Sequence, residues 1–393
     1  MRNNIIKRLL LLPKTSFFLF GPRGTGKSTW LKQILPNTAY FDLLDLSLYL
    51  ELYQDPHKIE AMAGRLKKND WVVIDEVQKM PALLDEVHRL IETKKWRFAL
   101  CGSSARKLHR GGVNLLGGRA VTVNLESFVS NEINKNYNIE SAIKWGMLPL
   151  IQFNISNARE ILSAYVNTYI KEEIKEEGIV RSLPPFLRFL EIAGLLNGQI
   201  VNAQNISREA SIPRSTVDVY FSILQDTLLG HFLSVYRPKL KIRERAHPKF
   251  YWFDPGIARA AAGLLYEPID RIWKGTALET LIYHELRVYN HIKKKNKPIF
   301  YYRTPAGAEI DFVIETRKRT QSSKPKIICL EVKSSAKWQK NYEKSLRSFE
   351  KNNKVDVGHM YGIYLGSRNY YYKNLTILPV QNFLKQLYQG KIF

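Results

Sequence analysis

The fold of the N-terminal part of this chain is decided by one stretch of sequence, Gly21-Pro22-Arg23-Gly24-Thr25-Gly26-Lys27-Ser28-Thr29. It follows a short apolar run, Ser16 to Phe20, which is typical of a buried β-strand, and it leads into a helical pattern that ends near Ile34. The glycines let backbone N–H groups turn toward a phosphate, and the positive end of the following helix faces the same anion. The stretch therefore predicts a phosphate-binding loop between a strand and a helix.

Two acids at the end of another apolar run complete the predicted nucleotide site. The run Trp71-Val72-Val73-Ile74 ends in Asp75 and Glu76, and a phosphate loop needs such a second carboxylate site. Lys27 would reach the β- and γ-phosphates, Ser28 would bind Mg²⁺, and Asp75 would hold the Mg²⁺ shell through water. Glu76 would orient and polarise the attacking water. We therefore expect ATP and Mg²⁺ as cofactors, although an acid pair can also simply cap a helix.

Small hydroxyls and arginines follow the next strand-like run, Trp96 to Cys101. Ser103 or Ser104, at the end of that run, could sense a γ-phosphate. Arg106 or Arg119, both in glycine-rich surroundings, could stabilise the transition state in a neighbouring subunit, and a solvated surface role is the alternative for each. The candidate catalytic residues are therefore Lys27, Glu76, Ser104 and Arg119, with Ser103 and Arg106 as alternatives to the last two.

Composition bounds the rest of the interpretation. A chain of 393 residues with 45% hydrophobic and 24% charged residues is expected to fold into two or three domains. The formal charge of +24 favours a polyanionic partner, with nucleic acid first, although generic solubility or a Lys-rich composition would give the same number. Cys101 and Cys329 lack zinc-site spacing and predict buried thiols in a reducing compartment. The apolar N-terminal run of residues 5–13 is too short for an export signal, so we expect a cytoplasmic protein without membrane contact.

Four segments carry a family resemblance: GPRGTGKST (21–29), VVIDEVQKMP (72–81), CGSSARKL (101–108) and LLGGRA (115–120). They resemble the AAA+ superfamily ATPases that have a conserved C-terminal domain of unknown function. The resemblance implies an α/β chain with an AAA+ ATPase domain over 1–155, a helical and winged-helix-like domain over 156–254, and a domain resembling the PD-(D/E)XK nucleases over 255–393. It also implies a homo-oligomer. Trp145-Gly146-Met147-Leu148-Pro149 departs from the family's usual lid segment, which puts its nucleotide contacts in doubt.

The middle segment contains a helix-turn-helix pattern from Asn205 to Leu224, with a turn at Ser211-Ile212-Pro213. Val217, Tyr220 and Leu224 would face its core. Basic residues that alternate along the following strand-like run would lie on one face. The candidate DNA contacts are Arg214, Ser215, Thr216, Lys239, Lys241 and Arg243. A helix pair used only for packing or subunit contacts is the alternative.

Two β-patterned runs near the C-terminus, Ala308 to Ile314 and Ile327 to Lys333, predict an antiparallel hairpin. If it folds symmetrically about residue 321, Asp311 lies opposite Glu331 on an exposed acidic face, while Ile310, Phe312, Ile328, Leu330 and Val332 are buried on the other. A divalent metal could bridge the two acids, with Lys333 placing water. This Asp, then Glu-x-Lys spacing resembles the PD-(D/E)XK nuclease core, to which Glu279, on a predicted helix over 276–289, could add an acid. The same acids could instead serve a module that binds DNA without cutting it.

Three functions follow from these patterns. The first is an ATP-driven motor or switch that binds or remodels duplex or branched DNA, of the branch-migration or repair type. The second is an ATP-dependent, metal-requiring nuclease that uses Asp311, Glu331 and Lys333. The third is a regulatory ATPase that binds a protein partner through the helix-turn-helix segment.

Overall fold

The computed structural model describes residues 6–103, 106, 108, 116–171, 183–237, 247–320, 323–352 and 355–393. Its three sheets fall one in each predicted segment of the chain. Short 3₁₀ turns span Val77–Lys79, Leu116–Gly118, Asn134–Asn136, Ile155–Asn157 and Lys340–Glu343. Within the described residues, no helix combines the length and the apolar character needed to cross a bilayer.

The N-terminal segment forms a parallel sheet in the order β2-β3-β4-β1-β5. Its strands are β1 (Phe17–Phe20), β2 (Ala39–Asp42), β3 (Trp71–Asp75), β4 (Arg97–Cys101) and β5 (Val121–Asn124), and its helices are α1 (Lys27–Ile34), α2 (Leu46–Gln54), α3 (Lys58–Ala63) and α4 (Leu83–Lys94). Apolar clusters cover both faces of this sheet, which explains why β1 and β3 are apolar almost throughout. Because the carboxyl ends of parallel strands share one edge, the residues that follow β1, β3 and β4 meet there. The predicted α/β, P-loop fold class is confirmed.

The middle segment, residues 130–261 in the structure, is mainly helical. Its helices are α5 (Ser130–Ile133), α6 (Ile139–Trp145), α7 (Pro149–Gln152), α8 (Ala158–Ala164), a π-helical turn (Tyr165–Ile170), α9 (Leu183–Leu195), α10 (Ala203–Ala210), α11 (Arg214–Asp226) and α12 (Pro255–Ala261). Three short antiparallel strands, in the order β6-β8-β7, accompany them: β6 (Gln199–Ile200), β7 (Gly230–Leu233) and β8 (Lys249–Trp252). Helices α10 and α11 bury Val217, Tyr220 and Leu224 as the helix-turn-helix pattern predicts.

The C-terminal segment forms a six-stranded mixed sheet in the order β13-β14-β12-β11-β10-β9. Its elements are α13 (Arg271–Ile292), β9 (Ile299–Arg303), β10 (Glu309–Arg317), β11 (Lys326–Lys333), α14 (Lys344–Asn352), β12 (Asp356–Tyr364), β13 (Tyr370–Tyr371), β14 (Leu375–Pro379) and α15 (Val380–Tyr388). The apolar residues that α13 covers belong to the same continuous core as the middle helices. The middle and C-terminal segments therefore share one interior.

The predicted hairpin forms from β10 and β11 in the predicted register, since Phe312 lies opposite Leu330 and Glu315 lies opposite Ile327. The expectation of one buried and one exposed acidic face is wrong. Asp311 is 5% and Glu331 6% exposed, because apolar clusters cover both faces of the sheet. Ile310 also lies in the opposite cluster from Phe312, since the pairing with β9 shifts by one residue between Ile310 and Val313.

Helix α13 ties the C-terminal domain to the segment that follows β5. Arg287 Nη2 lies 2.8 Å from Glu126 Oε1, and His284 Nε2 lies 3.0 Å from the carbonyl oxygen of Phe128. Glu285 Oε1 accepts a 2.7 Å hydrogen bond from the backbone N–H of Ser130. These contacts join residues more than 150 positions apart, so α13 is held against the segment that follows β5.

Glu285 also gives the contact between α13 and that segment a pH dependence. Burial raises the pKa of its carboxyl from 4.5 to about 7, although hydrogen bonds from Tyr388 and Ser130 partly offset this effect. Between these two values the native state keeps a proton that the unfolded chain has lost, so the stability of the wild type falls as the pH rises through this window. Glu285→Gln, which cannot ionise and can still bond Ser130 and Tyr388, is expected to equal the wild type near pH 5. At pH 8 it should exceed the wild type in free energy of unfolding by about 2–3 kcal/mol.

Chemical denaturation of both proteins at the two pH values measures this difference. Glu267→Gln, at an exposed position, is the control and should give the same difference at both pH values. An equal effect of Glu285→Gln at pH 5 and pH 8 would show that Glu285 is ionised in the native protein.

Candidate functional site

The loop from Gly21 to Ser28 lies at the carboxyl end of β1 and opens into α1. Gly24 has φ 79° and Gly26 has φ 85°, in the left-handed region that favours glycine. Gly26 is the N-cap of α1 and has no side chain that could cap the first N–H groups of the helix, so a bound anion can take that role. The loop therefore has the backbone form that phosphate binding requires.

Lys27 lies folded back over the loop. Its side chain is buried, and Nζ donates to the carbonyl oxygens of Gly21 at 2.8 Å and Pro22 at 3.2 Å. The hydroxyl of Thr25 also donates to Pro22, at 2.8 Å. Carbonyl oxygens are weaker partners for an ammonium group than phosphate oxygens, so a bound nucleotide can take over these contacts.

The remaining predicted nucleotide-binding residues differ in their surroundings. The guanidinium of Arg23 lies over the ring of Tyr169, 5.1 Å from its centroid, and so contacts the middle domain. Ser28 is half-buried, whereas Thr29 is exposed on α1. The side chain of Thr29 is therefore not enclosed in the site.

Asp75, at the end of β3, is 3% exposed and forms the centre of a hydrogen-bond cluster. Tyr40 Oη donates to Asp75 Oδ2 at 2.5 Å, and the backbone N–H of Glu76 donates to Oδ1 at 3.1 Å. Burial raises the pKa of Asp75, but hydrogen bonds from Cys101, Ser28, Tyr40 and the Glu76 amide outweigh it, so the pKa lies below its usual value. Asp75 is therefore a carboxylate beside the Ser28 hydroxyl.

A hydroxyl and a carboxylate are oxygen donors of the kind that Mg²⁺ prefers, and Mg²⁺ takes its other ligands from water and substrate phosphates. Ser28 and Asp75 thus fit a nucleotide-bound Mg²⁺, which would neutralise charge on the phosphates. Within the described parts of the chain, no three or more His, Cys, Asp or Glu side chains are grouped to hold an ion by themselves. The Mg²⁺ would therefore depend on the nucleotide.

Glu76 follows Asp75 in the left-handed backbone region, with φ 58°. This backbone conformation is uncommon for residues other than glycine, and such residues are concentrated at functional sites. Gln78 Nε2 donates to Glu76 Oε2 at 2.5 Å and lies 3.5 Å from Ser103 Oγ. Gln78 thereby connects the two predicted residues, Glu76 and Ser103, across the ends of β3 and β4.

Sequence reasoning missed Tyr40 and Gln78. Gln78 lies two residues after Glu76, and its place in the VVIDEVQKMP segment was the only available signal. Tyr40 lies in β2 at a position without any motif, and only the pairing of β2 with β3 brings it to Asp75. Burial raises the pKa of the Tyr40 hydroxyl above its usual range, and the contact with Asp75 raises it further.

The two candidate arginines have partners within the chain. Arg119 forms an ion pair with Glu92 of α4. Arg106 forms an ion pair with Asp226 and lies 3.4 Å from Ser222 Oγ, both on α11. Arg106 thus joins the region after β4 to the second helix of the helix-turn-helix pair. Ser104 lies outside the described residues.

The segment Trp145-Gly146-Met147-Leu148-Pro149 packs against the loop. A Cβ on Gly24 would lie 2.8 Å from Leu148 Cδ2. Gly146 has φ 79°, and a Cβ there would lie 1.8 Å from Asp254 Oδ1, which leaves no space for a side chain. Asp254 in turn accepts a 2.6 Å hydrogen bond from the Met147 amide. This departure from the family pattern therefore joins the phosphate loop to the middle domain.

The four predicted nuclease-site residues come together in the C-terminal domain. Lys333 Nζ lies 2.5 Å from Glu331 Oε1 and 3.7 Å from Asp311 Oδ2, and the Val332 amide donates to Asp311 at 2.6 Å. Burial and then the nearby charge of Asp311 raise the pKa of Glu279, on α13, to about 8. The cation between Asp311 and Glu331 is thus the ammonium group of Lys333.

Lys249, from β8 of the middle domain, adds a second ammonium to this cluster. Its Nζ lies 2.5 Å from Glu309 Oε1 and 3.8 Å from Glu279 Oε2, and the side chain is 5% exposed. Sequence reasoning missed it because Lys249 belongs to another segment of the chain. Two ammonium groups, those of Lys249 and Lys333, therefore balance part of the negative charge of the acids in this cluster.

The predicted DNA contacts are only partly described. Arg214 and Ser215 are exposed and Thr216 is half-buried in the first turn of α11, whose N-cap is Pro213. Lys239, Lys241 and Arg243 lie outside the described residues. The start of α11 therefore presents one cation and two hydroxyl groups.

Three family models match successive parts of the chain. An AAA domain matches residues 13–134, a domain of unknown function (DUF8612) matches 138–267, and a second domain of unknown function (DUF4143) matches 274–383. The first and third agree with the order of domains that the sequence resemblance implies.

The relatives that this chain matches are distant in sequence. An uncharacterized protein of Mycobacterium tuberculosis is 22% identical over 311 residues, covering 77% of this chain and 68% of the relative, and one of Mycobacterium bovis matches to the same extent. A shikimate kinase of Buchnera aphidicola is 27% identical over 170 residues, covering 42% of this chain and 84% of the kinase. The kinase match supports the P-loop fold of the N-terminal part.

Proposed function

Because this chain combines an AAA domain of the P-loop ATPase family with a C-terminal DUF4143 domain, we propose that it is a Mg²⁺-dependent ATPase. The observation that carries the proposal is the buried Asp75 at the carboxyl end of β3, in the same parallel sheet whose strand β1 leads into the loop and Lys27. These residues would bind the phosphates and Mg²⁺ in the arrangement that phosphoryl transfer needs. Glu76 would accept a hydrogen bond from the attacking water and orient it.

Phosphate release from ATP by the purified full chain, with Mg²⁺ and with EDTA in its place, tests the proposal. We expect Mg²⁺-dependent release without any added acceptor, because in the proposed mechanism Glu76 orients a water. A kinase, which transfers the phosphate to a substrate hydroxyl, would need such an acceptor. Failure to bind ATP at all would overturn the proposal.

We further propose that ATP hydrolysis is coupled to the binding or remodelling of DNA. Two observations support this proposal. The net charge is +24, and α11, the second helix of a helix-turn-helix pair, has an exposed first turn. The ion pair of Arg106 with Asp226 connects the other end of α11 to the AAA domain. A change at the end of β4 during hydrolysis would reach α11 through this pair.

Arg214→Ala is expected to weaken duplex DNA binding about 3- to 10-fold and to lower the salt slope of the binding constant by about one, since one phosphate contact would be lost. Fluorescence anisotropy at several salt concentrations measures both quantities. Arg271→Ala, an exposed arginine at the start of α13, is the matched control and should leave the slope unchanged. Binding of the wild type that ignores salt would contradict the electrostatic basis of the proposal.

A nuclease is the second candidate, favoured by the meeting of Glu279, Asp311, Glu331 and Lys333 in one cluster. The same ATPase reactions, run with duplex and branched DNA, can be scored for strand cleavage. Cleavage that Asp311→Ala abolishes would favour the nuclease. ATP hydrolysis that no DNA stimulates, without cleavage, would favour the regulatory ATPase with a protein partner.

A further inference from the structure

We propose that Arg8, which lies outside the phosphate loop, is a positioning residue that aims backbone amides of the loop at the nucleotide. Arg8 precedes the part of the chain that matches the AAA family, residues 13–134, and carries no motif of its own. The inference rests on the proposed ATPase function, because it assigns a further residue to that site.

Arg8 contacts the loop and the strand end beside it at the same time. Nη1 donates to the carbonyl oxygen of Thr25 at 2.7 Å, and Nη2 donates to that of Glu126 at 2.6 Å. Nε donates to Glu132 Oε1 at 3.0 Å, and the guanidinium lies over the ring of Phe128, 4.8 Å from its centroid. The side chain is 7% exposed. Arg8 therefore bridges the phosphate loop and the segment after β5 from an enclosed position.

The contact with Thr25 determines the direction of the next amide. The carbonyl of Thr25 and the N–H of Gly26 belong to one planar trans peptide unit, in which the two groups point in opposite directions. When Arg8 holds the oxygen from behind the loop, the Gly26 N–H is turned to the other side. In a loop of this type, that side faces the phosphates.

A second donor acts on the loop in the same way. Tyr165 Oη, from the π-helical turn of the middle domain, donates to the carbonyl oxygen of Arg23 at 3.0 Å. This bond holds the peptide unit that contains the Gly24 N–H. Arg8 and Tyr165 thus each hold one carbonyl oxygen of a loop whose glycines would otherwise allow other orientations.

The arrangement requires the fork of an arginine. Its nitrogens donate in three directions, to Thr25, Glu126 and Glu132, whereas the single ammonium of a lysine cannot keep all three contacts. Glu132 is itself fixed, since it also accepts hydrogen bonds from the amides of Leu9 and Val129. Because Glu132 balances the charge of Arg8, the main effect of Arg8 on the nucleotide is orientation of the loop and not long-range attraction.

The test compares full-length wild type with Arg8→Ala, Arg8→Lys and Tyr165→Phe. Binding of a fluorescent ATP analogue with Mg²⁺ gives Kd, and steady-state phosphate release gives KM and kcat. We expect Arg8→Ala to raise Kd about 10-fold or more, because a Gly26 N–H that is no longer oriented would lose its hydrogen bond to a charged phosphate. A displaced loop should lower kcat/KM about 100-fold. Arg8→Lys should remain closer to the alanine variant than to the wild type, and Tyr165→Phe should raise Kd about 3-fold.

Arg97→Ala is the matched control. Arg97 also stacks on an aromatic ring, that of Trp71 at 4.6 Å, and donates to a carbonyl, that of Asn69 at 2.6 Å, but it lies at the start of β4, at the opposite edge of the sheet. A loss of stability alone would reduce the active fraction and hence kcat, leaving Kd and KM unchanged. If Arg8→Ala and Arg8→Lys show a lower kcat with unchanged Kd and KM while the wild type is active, the inference about Arg8 is overturned and the proposed ATPase function is not.

If Arg8→Ala does not fold, Arg8→Lys and Tyr165→Phe decide the question by their Kd values, and unchanged values in both overturn the inference. If the wild type neither binds nor hydrolyses ATP, the proposed function fails first, and the inference about Arg8 falls with it. The two failures are therefore distinguished by the wild-type measurement.

Discussion

Replacement of Glu76 by glutamine is expected to reduce ATP turnover about 10³-fold while leaving ATP binding within about 2-fold of the wild type. Glutamine keeps the size of the side chain but loses the carboxylate that orients and polarises the water. Lys27 bonds the carbonyl oxygens of Gly21 and Pro22, whereas Glu76 accepts a hydrogen bond from Gln78, so the phosphate-binding part of the site should be preserved. Turnover and binding are therefore expected to separate in this variant.

Phosphate release and nucleotide Kd, measured on the same preparation, check this result. Glu51→Gln is the control, because Glu51 is an acid of the same domain that pairs with Lys58 at the protein surface. Its turnover should remain within about 2-fold of the wild type, since surface ion pairs contribute little. Full activity of Glu76→Gln would remove Glu76 from the mechanism and direct attention to Gln78 and Ser103.

Lys27→Ala is expected to weaken ATP binding on the order of 100-fold, because a charge-assisted contact with two phosphates is lost. Turnover at low ATP concentration should fall with it. The free protein should lose little stability, since the Lys27 ammonium donates there to the carbonyl oxygens of Gly21 and Pro22 in its own loop. The variant should therefore unfold near the wild-type temperature in the absence of nucleotide and lack the increase in Tm that ATP gives the wild type.

Lys32→Ala is the control for this experiment. Lys32 lies on the same helix, α1, but is exposed, with its ammonium 4.9 Å from the centroid of the Tyr40 ring. Its removal should leave ATP affinity unchanged. An Lys27→Ala variant that binds ATP as tightly as the wild type would mean that the nucleotide does not enter the loop as proposed.

The local parts of the site could be predicted from the sequence. Residues 21–26 form the loop between β1 and α1, residues 27–29 begin α1, and Asp75 and Glu76 lie at the end of β3. Each motif is contiguous, so its conformation depends on its own residues. The register of β10 and β11 was predictable for a similar reason, since the alternation of side chains in a hairpin limits the pairing.

Contacts between distant segments could not be predicted. Tyr40 bonds Asp75 because β2 pairs with β3, and Arg8 reaches Glu126 and Glu132 across more than 110 positions of the chain. The predicted exposure of the acids in the C-terminal hairpin failed because the pattern of one hairpin contains no information about the elements that cover it. Lys249 enters that cluster from another domain.

The sequence by itself determined that this protein has a phosphate loop, a second acidic strand end and a C-terminal acidic hairpin, since turn geometry and strand alternation act within a few residues. Only the tertiary structure decided which side chains surround them: Arg8 and Tyr165 behind the loop, Gln78 between Glu76 and Ser103, and lysines against the C-terminal acids. The physical reason is that these contacts depend on the packing of whole elements, which joins positions that no local pattern relates.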